Sequence, residues 1–328
     1  MLLHGYPETA GMTQGKRDMA TLKELSTRPE LFTGGHRLCT GCGIPPIVRL
    51  VLRCANGPVV GTTATGCLEV GTTIYPYTAW KIPWIHSAFE NAAATISGIE
   101  SAYRVLRKKG KIPDRDVKFV AFGGDGGTYD IGFQALSGAL ERGHDFLYVC
   151  YDNGAYMNTG IQRSSATPFG SATTTAPAGS VRPGKQEWRK DLTRVVVAHN
   201  IPYAAQASPH NWRDLANKAE KAFSIKGPTF LNVISPCPLG WYSKPEISME
   251  AAQIAVDTCY WPLYEVEDGV LKITYKPKEK KPIEEWLKIQ GRFKHLFKPE
   301  NKHLLEETRR RIDREWERLL EMDGKRVF

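Results

Sequence analysis

The sequence predicts an α/β protein built on one parallel sheet with helices on both faces, followed by a helical C-terminal extension. Three observations carry this. Short apolar runs recur at residues 58–65, 117–122, 146–151 and 228–234, as expected of strands buried on both sides. Helical segments fall between them, and that alternation implies parallel strands joined by crossovers. From about residue 282 the chain becomes charged and helical, with Leu305, Ile312, Trp316, Leu319 and Leu320 as an apolar stripe.

Taken in order, residues 1–30 are a polar leader with no periodicity. A segment rich in Gly and Cys, 33–43, precedes a helix over 44–55 whose first turn accepts Pro45 and Pro46. The strand 58–65 follows, then a long Ala-rich helix over 89–109. The run 117–122 ends in Gly-Gly and leads to a helix over 131–141 and the strand 146–151. Residues 158–184 hold Gly, Ser, Thr and three prolines (Pro168, Pro177, Pro183), which makes them a long loop of the kind that carries function. Helices over 188–198 and 212–223 and the strand 228–234 complete the sheet region. The expected organisation is a leader (1–30), a ligand-binding domain (31–260) and a basic helical extension (261–328).

The chain has 328 residues and a net charge of +9. From Lys272 onward 17 Lys and Arg face 11 Asp and Glu, so this stretch carries a net +6. It reads as a solvated, subunit-facing face, and no recognition motif points to nucleic acid. No run approaches 18 uninterrupted apolar residues and the first 30 carry no secretory pattern, so a cytoplasmic protein without a membrane span is expected. The seven cysteines are odd in number, and in a long chain of this kind they favour metal or redox roles over disulfides.

Two constellations carry chemistry. The first is FVAFGGDGGTYDIG, 119–132: an apolar strand, a glycine-rich turn and a helix, the arrangement that holds phosphate. Gly124, Gly126 and Gly127 let the backbone approach an anion, and Asp125 can bind the cation that neutralises it. The next strand ends in YDNGAYMNTG, so its crossover returns Asn153 beside Asp125. With the Ala155 carbonyl and two phosphate oxygens, these make a shell suited to Mg²⁺. A lone Gly-Asp-Gly is also a common turn. The pairing with Asn153 resembles the thiamine diphosphate motif, with Gly154 standing where many such motifs have a second Asn.

The second is Cys39-Thr-Gly-Cys42, with Cys67 beyond it and Cys237 in SPCPLGW after the last strand. A CxxC alone fits zinc, a thiol pair or a cluster. Four thiolates suit a [4Fe–4S] cluster. Cys54, Cys150 and Cys259 read as buried small hydrophobes. Glu69, Glu90, His36 and His86 are set aside as acid–base candidates, because no partner is evident for the histidines and a carboxylate at a helix start serves the helix.

Together LCTGCG, TGCLEV, YPYTAW, FENAAA, GGDGGTYDIG, YDNGAYMNTGIQRSSATPFG and SPCPLGW resemble the multi-subunit pyruvate:ferredoxin oxidoreductase family over roughly residues 30–245. The resemblance implies a thiamine diphosphate-binding fold and a [4Fe–4S] cluster on Cys39, Cys42, Cys67 and Cys237. It implies Mg²⁺ on Asp125, Asn153 and Ala155, with Asn158 and Thr159 near the reacting end of the cofactor. It also implies an α subunit supplying the activating glutamate, γ and δ subunits carrying further clusters, and ferredoxin, coenzyme A and a 2-oxoacid, pyruvate first, as reaction partners. Two other readings remain open at this stage: a thiamine-dependent decarboxylase with structural zinc, and a cluster-bearing scaffold subunit.

Overall fold

The computed structural model describes residues 20–179 and 181–327. The elements are α1 (Leu22–Thr27), α2 (Ile44–Cys54), β1 (Val59–Thr63), α3 (Cys67–Thr72), β2 (Trp84–His86), α4 (Ala92–Lys108), β3 (Lys118–Gly124) and α5 (Phe133–Glu141). After these come β4 (Leu147–Asp152), α6 (Leu192–Val197), β5 (Tyr203–Ala207), α7 (Trp212–Ser224), β6 (Thr229–Ile234) and α8 (Pro238–Trp241). The chain ends with α9 (Ser248–Asp257), β7 (Leu263–Glu267), β8 (Val270–Tyr275), α10 (Ile283–Lys288) and α11 (Lys302–Met322).

One eight-stranded sheet runs in the order β2-β1-β3-β4-β6-β5-β7-β8. The first six are mutually parallel, while β7 and β8 are antiparallel. The anticipated parallel core is therefore present. All six residues of β4 and of β6 are buried, because helices cover both faces. On one face α2 and α7 pack Ile47, Val51, Leu215 and Ala219 against Val120, Val149 and Leu231. On the other, α4, α5, α6 and α11 enclose Ala121, Tyr148 and Phe230. Parallel strands align their C-terminal ends, so the segments leaving β1, β3, β4 and β6 meet along one edge, where open α/β sheets bind ligands.

Four strands escape sequence reading. β5 is YAAQA, poor in β-branched residues, and β2 has only three residues. The segment from 261 does not turn helical at once: it opens with the β7–β8 hairpin, which extends the sheet. A signal for that hairpin is present, since Asp268 and Gly269 both adopt positive φ (47° and 79°) between two apolar runs. The helix expected over 188–198 is confined to Leu192–Val197. In α11 the buried residues are Leu304, Thr308, Ile312 and Leu319. Leu320, assigned to the apolar stripe, is 40% exposed, and the buried line begins one residue before Leu305. The leader falls largely outside the described residues, apart from α1, which opens with a capping box formed by Thr21 and Glu24. Among the described residues no helix is long and apolar enough to cross a membrane.

Candidate cofactor and thiol site

β3 ends at Gly124, and Asp125 begins a tight π-helical turn over Gly126–Asp130. The turn needs its glycines for space: a Cβ on Gly126 runs into the Tyr156 ring, and one on Gly127 meets Phe89 O at 3.2 Å. The Asp125 carboxylate is fully buried. Its Oδ2 accepts from Ser164 Oγ at 2.5 Å and its Oδ1 from the Asn153 N–H at 3.2 Å. Burial and the neighbouring Asp152 carboxylate push its carboxyl well above the usual range.

The crossover from β3 to β4 returns Asn153 to Asp125. The Asn153 side-chain amide nitrogen donates to Asp125 Oδ1 at 2.9 Å and to Ala155 O at 2.9 Å, so the three groups expected as cation ligands stand side by side. The neighbouring carbonyls are already engaged: Asn153 O by Trp241 Nε1 at 2.7 Å, and Gly154 O by Thr167 Oγ1 at 2.7 Å. Gly154, which departs from the motif, has φ +78°, and a Cβ there meets Arg292 Nη1 at 3.1 Å.

Gly124, Asp125, Gly126, Gly127, Asn153 and Ala155 line one pocket of ≈ 30 Å³ with Thr65, Cys67, Tyr151, Asn158 and Thr159. Asn158 and Thr159 are exposed at its rim. Tyr151 Oη is buried with no hydrogen-bond partner, and it faces Gly66 at the start of α3. Lys185 holds the long loop from beneath: buried, its Nζ donates to Ser165 O (3.2 Å) and Thr167 O (2.7 Å). Desolvation, with Arg163 and Arg189 nearby, brings its ammonium down to about 8.

Cys67 is shared with the second constellation. The segment of Cys39 and Cys42 packs on that of Cys237 through Gly43 N–H to Pro236 O (2.9 Å), and a Cβ on Gly43 collides with Pro236. Burial raises Cys42 and Cys67 to about 12, and Cys39 and Cys237 lie near enough to add to the rise. Cys237 Sγ accepts the Gly240 N–H at 3.4 Å. Cys39 is exposed, and Cys42, Cys67 and Cys237 are partly buried. The four thiols are neighbours without forming a closed ligand shell: among the described residues no three His, Cys, Asp or Glu side chains are grouped so as to hold a metal ion. Cys54, Cys150 and Cys259 are buried away from them, as expected.

Arg292 had no motif to announce it. It is 3% exposed, its guanidinium sits 4.7 Å from the Trp241 ring, and its Nε donates to Gln290 Oε1 at 2.9 Å. Desolvation lowers it to about 10 despite the opposing pull of Cys237, Asp152 and Asp125. A buried cation thus stands near both Cys237 and Asp125. His86, set aside for want of a partner, has two: Thr65 Oγ1 at 3.1 Å and Thr63 O at 3.0 Å.

Behind the pocket, Asp152 Oδ2 accepts from Tyr129 Oη (2.7 Å) and Arg189 Nη2 (2.7 Å). Arg189→Met leaves the Asp152 carboxylate, 4% exposed, without its cation. The expected loss is about 3–5 kcal/mol, read as a lower urea midpoint at unchanged slope.

A parallel sheet that presents a Gly-Asp-Gly turn to an asparagine on the next strand defines a thiamine diphosphate-binding domain. Residues 64–233 match the family model described as thiamine pyrophosphate enzyme, C-terminal TPP binding domain. Pyruvate synthase subunit PorB of Thermotoga maritima is 55% identical over 298 residues, 89% of this chain and 92% of the relative. The PorB of Methanocaldococcus jannaschii is 56% identical over 270 residues, 82% and 91%. Ketoisovalerate oxidoreductase subunit VorB of Pyrococcus abyssi is 45% identical over 88% and 92%. A solved 2-oxoglutarate:ferredoxin oxidoreductase from Magnetococcus marinus shares the fold, with TM-score 0.52 and 19% identity over 68% of this chain and 79% of that one. The chain belongs to the pyruvate synthase subunit PorB family, the oxidoreductase class that its motifs resemble.

Proposed function

We propose that this chain is the cofactor-bearing β subunit of a pyruvate:ferredoxin oxidoreductase, binding thiamine diphosphate through Mg²⁺ and one [4Fe–4S] cluster. The observation that supports the cation site is the convergence of the Asp125 carboxylate, the Asn153 side-chain amide and the Ala155 carbonyl, with Asp125 Oδ1 and Ala155 O each 2.9 Å from that amide. Asp125, Asn153 and the Ala155 carbonyl hold Mg²⁺, and the backbone around Gly124, Gly126 and Gly127 receives the diphosphate. Bound thiamine diphosphate supplies a carbon nucleophile and an electron sink for decarboxylating a 2-oxoacid. Asn158 and Thr159, at the exposed rim, face the substrate side.

Among the described residues that line the pocket, Asp125 is the only carboxylate, and the cation occupies it. This supports an activating glutamate on an α subunit, so the isolated chain is inactive. Cys39, Cys42, Cys67 and Cys237 hold the cluster in this reading, and Cys67 borders both sites, which suits short-range electron transfer. Electrons then pass through clusters on γ and δ subunits to ferredoxin, and coenzyme A takes the acyl group. In domain terms, 31–260 is the cofactor-bearing unit, 261–328 the subunit-facing extension and 1–30 a leader. Thiols left free suit the cytoplasm.

The 45% identity to a ketoisovalerate subunit makes a branched-chain 2-oxoacid the second reading. The test is viologen reduction with coenzyme A by the complex purified without oxygen, against pyruvate, 2-oxoisovalerate, 2-oxoglutarate, an arylpyruvate and oxalate. Pyruvate is expected to give the highest kcat/KM. A higher value for another acid corrects the substrate, and a chain without thiamine diphosphate overturns the function.

A further inference from the structure

A second cavity, ≈ 230 Å³, lies under α11 on the far side of Asp152 from the cofactor pocket. Its walls carry two stacked aromatic pairs, Phe169–Trp188 at 4.4 Å and Tyr260–Trp286 at 4.1 Å between centroids. Two residues of its lining each carry a buried polar atom without a partner: the Asn232 side-chain amide oxygen and Trp286 Nε1, on side chains 1% exposed. The Asn232 amide nitrogen is engaged, donating to Tyr129 Oη at 2.8 Å and Thr193 Oγ1 at 3.2 Å. That leaves one acceptor and one donor, each of which costs about 1–3 kcal/mol while unmet.

The charges on the lining do not cancel. Arg189 is paired with Asp152, which lies outside the cavity. Arg194 pairs with Asp191 and Glu315, and Arg311 shares Glu315. Arg318, exposed at the mouth, has no carboxylate partner among the described residues.

We infer that this cavity binds a small aromatic carboxylate. Its ring lies between the aromatic pairs, its carboxylate meets Arg318, and a hydroxyl at its inner end donates to Asn232 and accepts from Trp286. The walls supply apolar area, and the few polar groups fix orientation, as in small-molecule sites generally.

4-Hydroxyphenylacetate is a suitable probe, because it lacks the 2-oxo group needed for turnover. It is titrated against the complex as purified, following tryptophan fluorescence, with hydrogen exchange to place the footprint. Saturable binding is expected, with protection over 302–322. Arg318→Gln, at an exposed position that leaves folding intact, should weaken binding about tenfold. Phenylacetate, without the inner hydroxyl, should bind less tightly than the hydroxylated acid. No saturable binding below about 10 mM, a footprint on residues 153–160, or an Arg318→Gln complex of unchanged affinity overturns the inference.

Discussion

Asp125→Asn is expected to abolish cofactor retention while making the cofactor-free chain more stable. The carboxylate is fully buried and lies against a second buried carboxylate, Asp152. Removing its charge relieves that repulsion; the amide oxygen of the variant takes the Asn153 N–H, and its NH2 donates to the Ser164 hydroxyl oxygen, which then acts as acceptor. The gain is lost when a divalent cation is present, because the neutral amide no longer balances it. Cation-dependent affinity for thiamine diphosphate is expected to fall about 100-fold or more, since even partners behind a ligand are worth about 10–100-fold. Thermal melts with and without Mg²⁺ and thiamine diphosphate check both halves. Wild type should melt below the variant when bare and above it when loaded. A variant melting below wild type in both conditions would mean that the oxygen cluster is structural and that the cation reading fails.

The contrast between what was legible and what was not follows from the same geometry. Asp125 and Asn153 were readable because each closes an apolar strand, and a parallel crossover forces such positions together. Ser164, which hydrogen-bonds Asp125, lies in a loop whose path no periodicity encodes. Arg292 sits 139 residues after Asn153 in a segment that reads as part of a basic face, and only the packing of Trp241 and Trp286 around it shows that it is interior. Charge in sequence records solvation preference, and a buried guanidinium satisfied by rings and one amide violates that preference locally. The Ala-rich β5 escaped for a related reason. Its strand state is imposed by pairing with β6 and β7, which override weak local propensity.

The buried positive charge of Arg292 also bears on the thiols. Cys42, Cys67 and Cys237 neighbour one another, and Cys67 and Cys237 also neighbour Asp125, in a region where burial disfavours thiolate. Four bare thiolates there would be unstable, and Arg292 alone offsets little of that charge. Any metal held there would be coupled to their deprotonation and to local order around residues 39–43 and 235–245.

The expected result of replacing Cys67 by serine, in protein made and handled without oxygen, is loss of the about four irons and matching sulfide of a [4Fe–4S] cluster. Reduction of viologen should fall at least about 100-fold, the upper range for disturbing a metal site's immediate surroundings. Cys39→Ser, Cys42→Ser and Cys237→Ser should behave alike, because the shell closes only with four. Cys54→Ser, Cys150→Ser and Cys259→Ser alter buried residues outside the four, and they should keep iron whatever their effect on stability. Thiamine diphosphate content separates the two sites. It should persist in Cys39→Ser and Cys42→Ser, which are absent from the lining of the cofactor pocket, and should weaken in Cys67→Ser, which lines it. If all four variants retain iron, or the wild-type chain holds zinc at one per chain, electron transfer must begin on another subunit and these cysteines are a structural clasp.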